Sequence, residues 1–94
     1  MTATKLHSDI VSDIGGGHAV VVAVDTIHLP NWSRSVKHAI TVIGYDDINK
    51  TYTFVDTCGV RCNGSSKAKN GGTWAIRQAT LLTAIKAAGL GYVR

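Results

Sequence analysis

A histidine and an aspartate mark the two ends of a predicted β-hairpin, and they are the residues best suited to chemistry. His38 begins a run of apolar, mostly β-branched residues that extends to Tyr45. Asp56 follows a second such run, Thr51–Val55. The residues between the runs, 46–50, are polar apart from one isoleucine, and they predict the turn.

The pairing of these two residues depends on the register of the hairpin. A turn centred near Asp47 places His38 directly opposite Asp56, within about 5.5 Å across the two strands. A shift by one residue would place the two side chains on opposite faces of the sheet. Where they meet, the carboxylate orients the imidazole and stabilises the imidazolium, as acid–base catalysis requires. We interpret the pair as the candidate catalytic site; the alternative is two ordinary strand-end residues.

Cys58 and Cys62 form a second cluster of reactive side chains. Their spacing fits a small disulfide loop and also fits a pair of zinc ligands. A zinc site would need histidines such as His28, but the sequence contains no closely spaced histidine pair to complete it. We therefore predict neither a metal nor a cofactor, and the redox state of the cysteines stays open.

The composition predicts a small globular domain, 1–94. A chain of this length buries roughly 60–70% of the surface that its unfolded form exposes. The net charge of +4 is spread along the chain without interleaved aromatic residues, so we predict no nucleic-acid partner. No apolar run approaches the roughly 20 residues that cross a bilayer, so we predict no membrane partner. The N-terminus lacks the apolar core of a signal peptide, which indicates a cytosolic chain or a missing N-terminal part.

The elements before the hairpin are predicted from apolar runs and glycines. Segment 1–14 is poorly defined, and its three β-branched apolar residues fit the end of a short helix capped by Ser8 or Asp9. Three consecutive glycines, 15–17, end that segment. The apolar run Val20–Val24 then predicts a strand that is buried on both faces.

The loop 25–35 leads into the hairpin. Its members His28, Leu29 and Trp32 either line a cleft or cover the core, and we favour the covering role. We interpret His18, before the preceding strand, as a structural histidine.

The C-terminal half predicts a long exposed loop, 57–72, which is rich in glycine, serine and lysine. A short strand, Thr73–Ile76, and an amphipathic helix, Gln78–Ala88, follow, with Gly89 as the helix cap. Gly91–Arg94 is predicted as a final strand. The resulting fold class is α+β, a mostly antiparallel sheet with one C-terminal helix.

The hairpin resembles the histidine motif of papain-like cysteine peptidases, most closely the C-thirty-nine-like group of bacteriocin-processing relatives. The run HAITVIGYDD at 38–47 supplies the histidine, the apolar residues and the Gly-Tyr-Asp-Asp of that motif. The strand Tyr52–Val55 and then Asp56 follow in the same order. The resemblance covers residues 10–94 and implies the β-rich half of a papain-like peptidase.

This resemblance implies that His38 is the general base and Asp56 its orienting carboxylate. In such peptidases the nucleophilic cysteine lies on a helix well upstream, with a glutamine that helps to form the oxyanion hole. No cysteine precedes His38 here. The resemblance thus implies a partial cysteine peptidase domain for peptide or protein substrates, inactive alone, whose missing N-terminal half supplies the cysteine. It also implies a bacterial protein that is secreted or displayed at the cell surface when complete.

Two other interpretations stay open at this point. Cys58 is a weaker candidate nucleophile because it would lack the helix N-terminus that lowers a thiol pKa. A disulfide with Cys62, or two inert thiols, is favoured instead. The alternative function is a non-enzymatic module that binds peptides or proteins on the same β scaffold. A separated half-domain would also expose apolar surface, so we expect it to associate with another chain or to be poorly soluble.

Overall fold

The computed structural model describes residues 2–56 and 72–89 and has an α+β fold, which confirms the predicted class. Four strands form one antiparallel sheet in the order β1-β2-β3-β4. A helix precedes the sheet and another follows it. The elements in chain order are α1 (Ala3–Gly15), β1 (Val20–Asp25), a short 3-10 helix (Thr26–His28), β2 (Lys37–Asp46), β3 (Thr51–Val55), β4 (Thr73–Arg77) and α2 (Gln78–Ala88).

The core lies between the two helices and one face of the sheet. Apolar residues at alternate strand positions are buried there, since successive strand side chains point to opposite faces. The helices contribute residues spaced three or four apart, which share one helical face. The largest fully buried side chains are those of Leu6, Ile10, Val20, Val22, Val24, Ile40, Val42, Tyr52, Phe54, Leu81 and Ile85. No helix in the described ranges is long and apolar enough to span a membrane.

Helix α1 is longer than predicted and begins earlier. The side chain of Thr2 caps it by accepting a hydrogen bond from the backbone of Lys5 at 3.1 Å. Ser8 and Asp9 are therefore interior residues, and their prediction as caps is wrong. Asp9 is buried and pairs instead with the Lys5 ammonium at 2.9 Å, one helical turn away.

Strand β1 is buried on one face only, so the prediction of two buried faces is wrong. Val20, Val22 and Val24 point into the core, whereas Val21 is 39% exposed. The strand lies at the edge of the sheet, and both helices cover the same face. A continuous apolar run does not by itself reveal how many faces are covered.

The β2–β3 hairpin has a different register from the predicted one. Thr41 pairs with Val55 and Val42 with Phe54, so extending the ladder by one step places Asp56 opposite residue 40 rather than 38. A bulge between Val42 and Gly44 shifts the register by one residue nearer the turn. Glycine within a strand is typical of such a bulge, and the predicted direct pairing of His38 with Asp56 is wrong.

The C-terminal elements match their predictions where the structure describes them. Strand β4 covers Thr73–Arg77, and α2 covers Gln78–Ala88 as predicted. Gly89 follows with a left-handed backbone, at φ 70°, which suits glycine at this position. The predicted final strand, both cysteines and the loop up to residue 71 lie outside the described residues.

Candidate active site at the His38–Asp56 pair

The structure brings His38 and Asp56 into direct contact. The imidazole Nε2 lies 2.9 Å from Asp56 Oδ1. Asp56 is the first residue after β3, and its side chain is 1% exposed. The His38 side chain, near the start of β2, keeps 22% of its surface exposed. A buried carboxylate therefore supports a histidine that solvent and reactants can reach.

The contact is diagonal rather than directly across the hairpin. His38 and residue 40 are two positions apart on β2, so their side chains share one face of the sheet. A diagonal neighbour is farther away than a direct one, but a long side chain such as imidazole still reaches it. The predicted register is wrong by two residues on β2. The pair still forms, because residues two apart on a strand point to the same face of the sheet.

Two further side chains bind the other oxygen of Asp56. Trp32 donates its indole Nε1–H to Oδ2 at 2.6 Å, and Asn31 donates from Nδ2 at 3.0 Å. Both residues are buried. Hydrogen bonds from N–H donors stabilise an ionised carboxylate in a site that water does not reach. They also hold its plane in one orientation.

Trp32 has a second contact in the site. Its ring lies 5.1 Å from the His38 ring, centroid to centroid, with an angle of 48° between the planes. Trp32 belongs to the hydrophobic core, so the predicted covering role agrees with its burial. The same indole shields the histidine–aspartate contact, which the prediction did not include. Asn31 was missed, although an Asn-Trp pair after Pro30 places two donors in one short loop.

Hydrogen bonds made by the side chain and the backbone of Thr26 hold the loop that carries these donors. Buried Thr26 donates its hydroxyl to the carbonyl of Arg34 at 2.6 Å and accepts from the Val36 backbone at 2.9 Å. Its own backbone N–H donates to the Val36 carbonyl at 3.0 Å. The loop therefore closes on itself next to the start of β2.

Asp56 is also positioned through its backbone. Its N–H donates to the carbonyl of Gly72 at 2.9 Å. Gly72 has φ +84°, and a Cβ added there would lie 2.5 Å from the Asp56 carbonyl oxygen. A residue without a side chain is required for this close approach.

The hydrogen bond to Asp56 assigns the tautomer of His38. An ionised carboxylate only accepts, so neutral His38 carries its proton on Nε2. The lone pair then lies on Nδ1, which has no hydrogen-bond partner among the described residues. Nδ1 is the atom that can take a proton from a reactant.

The other histidines considered from the sequence do not join this site in the described part of the chain. His18 is exposed, and His28 lies in the 3-10 helix. Cys58 and Cys62 are outside the described residues. No group of three or more histidine, cysteine, aspartate or glutamate side chains in residues 2–56 and 72–89 is placed to hold a metal ion.

A second histidine–aspartate pair lies at the hairpin turn, where the sequence did not predict one. His7 of α1 contacts Asp47 through Nε2 at 2.9 Å. Its Nδ1 lies 2.8 Å from the hydroxyl of buried Tyr52. Both ring nitrogens are thus engaged, and the histidine joins α1 to the sheet.

One of three comparisons with known proteins found a match. A family model described as the Peptidase_C39 like family matches residues 1–79, which include α1, the hairpin and β4. Searches of curated proteins and of solved structures gave no match. The match covers most of the chain and contains both His38 and Asp56. The chain therefore belongs to the Peptidase_C39 like family and is a peptidase-related domain.

Proposed function

We propose that this chain is the acid–base part of a cysteine peptidase domain that hydrolyses peptide bonds of a peptide or protein. His38 is its general base and Asp56 the carboxylate that orients it. One observation carries the proposal: His38 Nε2 lies 2.9 Å from a buried carboxylate, which leaves Nδ1 as the basic atom. Family membership adds independent support.

The chemistry follows from that tautomer. His38 Nδ1 takes the proton of a cysteine thiol, and the thiolate attacks the carbonyl carbon of the peptide bond. The imidazolium, stabilised by Asp56, then gives this proton to the leaving amine, and a thioester remains. His38 next accepts a proton from water as the water attacks the thioester. It returns this proton to the cysteine sulfur as the C–S bond breaks, which releases the acid and restores the thiol. No step requires a metal or a cofactor.

In this proposal, the nucleophilic cysteine is supplied by a stretch of polypeptide outside the 94 residues. The sequence before His38 contains no cysteine. An N-terminal half of the domain, joined or separate, would bring a thiol to Nδ1. The present chain alone is then inactive. Secretion or display at a bacterial cell surface belongs to the same proposal for the complete protein.

The test is to supply the missing cysteine. The chain is expressed together with the segment encoded immediately upstream of it, and the alkylation rate of the new cysteine is measured against pH. A thiolate paired with His38 reacts at neutral pH, below the ordinary thiol pKa of about 8.5. We expect His38→Ala to slow alkylation at pH 7 by about tenfold or more. His18→Ala, at an exposed histidine outside the site, should leave the rate unchanged. The joined form of the proposal is refuted if the upstream segment contains no cysteine or if alkylation of its cysteine does not depend on His38.

The same reagent tests Cys58 in the chain as it stands. We expect Cys58 and Cys62 to react at the same rate with and without the His38→Ala substitution, in reducing buffer. A tenfold loss confined to Cys58 would instead identify it as the thiol that His38 activates. The external cysteine would then be unnecessary.

A non-enzymatic peptide- or protein-binding module is the second candidate. A binding module needs no thiol beside His38, and no cysteine precedes His38 in these 94 residues. Under this alternative, His38→Ala leaves partner binding unchanged. Light scattering separates the two candidates. A half-domain without its other half should self-associate, whereas a clean monomer would argue against the half-domain.

A further inference from the structure

We propose that Asn31 and Trp32 are positioning residues that orient the Asp56 carboxylate and thereby determine which nitrogen of His38 carries the proton. The control of the tautomer stands on geometry alone. Its consequence for catalysis rests on the proposed peptidase function.

The argument starts from the chemistry of the two donors. An indole N–H can only donate, and an amide NH2 group can only donate. Trp32 Nε1 and Asn31 Nδ2 approach the same oxygen, Asp56 Oδ2, at 2.6 Å and 3.0 Å. Whatever atom occupies that position must therefore be an acceptor. Because both donors are buried, leaving either without an acceptor is costly.

In the native protein this requirement is met without conflict. Both carboxylate oxygens accept, so Oδ2 serves the two donors and Oδ1 serves His38 Nε2–H. The Trp32 ring, 5.1 Å from the imidazole, restricts the movement of the histidine. Asn31 and Trp32 thus act on His38 through Asp56.

An amide in place of the carboxylate turns the requirement into a conflict. Asp56→Asn keeps the shape of the side chain but offers one acceptor oxygen and one NH2 group. The two donors hold the amide oxygen on their side, so the NH2 group faces His38 Nε2. That nitrogen must then accept, and the proton moves to Nδ1. We expect the D56N variant to reverse the His38 tautomer, with Nδ1–H as the main neutral form.

Removing a donor tests whether these residues cause the reversal. In W32F/D56N, Phe keeps most of the packing but donates nothing, so the amide can rotate and return its oxygen to His38. We expect the ratio of Nδ1–H to Nε2–H forms to fall by about tenfold from its value in D56N, the factor that one buried hydrogen bond is worth. Trp74 lies outside the site and provides the control: W74F/D56N should keep the reversed ratio.

The measurement is the 15N chemical shift of the two ring nitrogens of His38, recorded at a pH high enough for the imidazole to be neutral. An Nε2–H form that persists in D56N overturns the proposal. An unchanged ratio between D56N and W32F/D56N overturns it for Trp32, and N31A/D56N tests Asn31 in the same way. If D56N does not fold, W32F/D56N is compared with W74F/D56N by urea unfolding. Loss of the Trp32 donor lets the amide return its oxygen to His38 and should make W32F/D56N the more stable of the two, and an equal or lower stability overturns the proposal.

Failure here can be told apart from failure of the proposed function. The spectra need neither substrate nor an added cysteine. A reversed tautomer in a protein that never hydrolyses peptides supports the positioning role and refutes the peptidase. A completed peptidase whose D56N variant keeps both the native tautomer and full activity refutes the positioning role alone.

Discussion

Two histidine–aspartate pairs in this molecule share one distance and differ in almost everything else. His38 with Asp56, and His7 with Asp47, each place Nε2 2.9 Å from Oδ1. The Asp56 side chain is 1% exposed, whereas that of Asp47 is 54% exposed. Water screens the exposed pair, so it contributes little to stability. The buried carboxylate instead depends on its hydrogen-bond donors.

The second ring nitrogen separates the pairs further. His7 Nδ1 is occupied by the Tyr52 hydroxyl at 2.8 Å, so both of its nitrogens serve structure. His38 Nδ1 has no such partner in the part of the chain that the structure describes. A short contact between an imidazole and a carboxylate therefore does not identify a catalytic site. The proposed site differs from the exposed pair by the burial of its carboxylate and by its available second nitrogen.

The largest expected difference between the pairs is in catalysis. In the peptidase completed with its cysteine, His38→Ala should lower kcat/KM by about 1,000-fold, because a general base contributes about 100- to 10,000-fold. His7→Ala should change it by no more than about threefold in protein that remains folded. Steady-state hydrolysis of a peptide substrate measures both. Equal losses of kcat/KM in the two variants would contradict the role of His38 as general base.

The carboxylates should differ nearly as strongly in stability. Asp56→Ala leaves the donors of Trp32 and Asn31 buried without their acceptor and should cost about 3–5 kcal/mol in free energy of unfolding. Asp47→Ala removes an exposed ion pair and should cost less than about 1 kcal/mol. Urea unfolding at pH 7 measures both values. Similar costs would mean that burial does not distinguish the pairs.

The buried pair should also depend on Gly72, a dependence that the exposed pair lacks. Gly72→Ala combines a strained left-handed backbone with a clash against the Asp56 carbonyl, and should cost about 3 kcal/mol. Gly17→Ala is the matched control, because Gly17 has φ +82° with nothing within 4 Å of an added Cβ. It should cost about 1–2 kcal/mol, from backbone strain alone. Thermal unfolding of the two variants decides whether the close approach matters.

The smallest expected effect concerns the structural pair. Tyr52→Phe removes the hydroxyl that contacts His7 and should cost about 1 kcal/mol. Burial raises the pKa of Tyr52 to about 12, with a contribution from the nearby Asp47 carboxylate. An unfolded tyrosine titrates near pH 10, so this contribution is fully present below about pH 10 and is lost as the pH rises towards 12.

The measurement is urea unfolding of wild type and Tyr52→Phe between pH 8 and pH 12. The advantage of the wild type should shrink as the pH rises above about 10. Tyr45→Phe, at an exposed tyrosine whose ring lies 5.8 Å from that of His7, is the control and should lower stability less at neutral pH. A constant difference between wild type and Tyr52→Phe would contradict the assigned pKa.

Much of the fold was predictable because the patterns are local. The limits of α2 followed from its apolar spacing and from Gly89, and the hairpin strands followed from two β-branched runs around a polar turn. The start of α1 was missed because its cap is a lone Thr2 near the chain end, while Ser8 and Asp9 offered equally good caps. The exposure of the second face of β1 was not predicted, because coverage by helices is a property of the packed molecule.

The site was predictable in part, and for a specific reason. His38 and Asp56 were identified by their place at the ends of two strands and by the motif around them. Their route of contact was wrong, because the turn is centred beyond Asp47, where Asp46 pairs with Thr51. The bulge between Val42 and Gly44 then moves the register back by only one residue. Asn31 and the role of Trp32 were not visible, because their loop is 24–25 residues from Asp56 along the chain.

The sequence by itself determined the family, the element types and the two residues that carry the proposed chemistry. Periodicity and motif spacing act over a few residues, and they are readable without coordinates. Only the tertiary structure decided which carboxylate is buried, which donors hold it and which nitrogen of His38 stays available. Those properties arise when the loop 26–36, the end of β3 and Gly72 meet. Burial and hydrogen-bond direction depend on how these three segments pack together, and no single segment determines them.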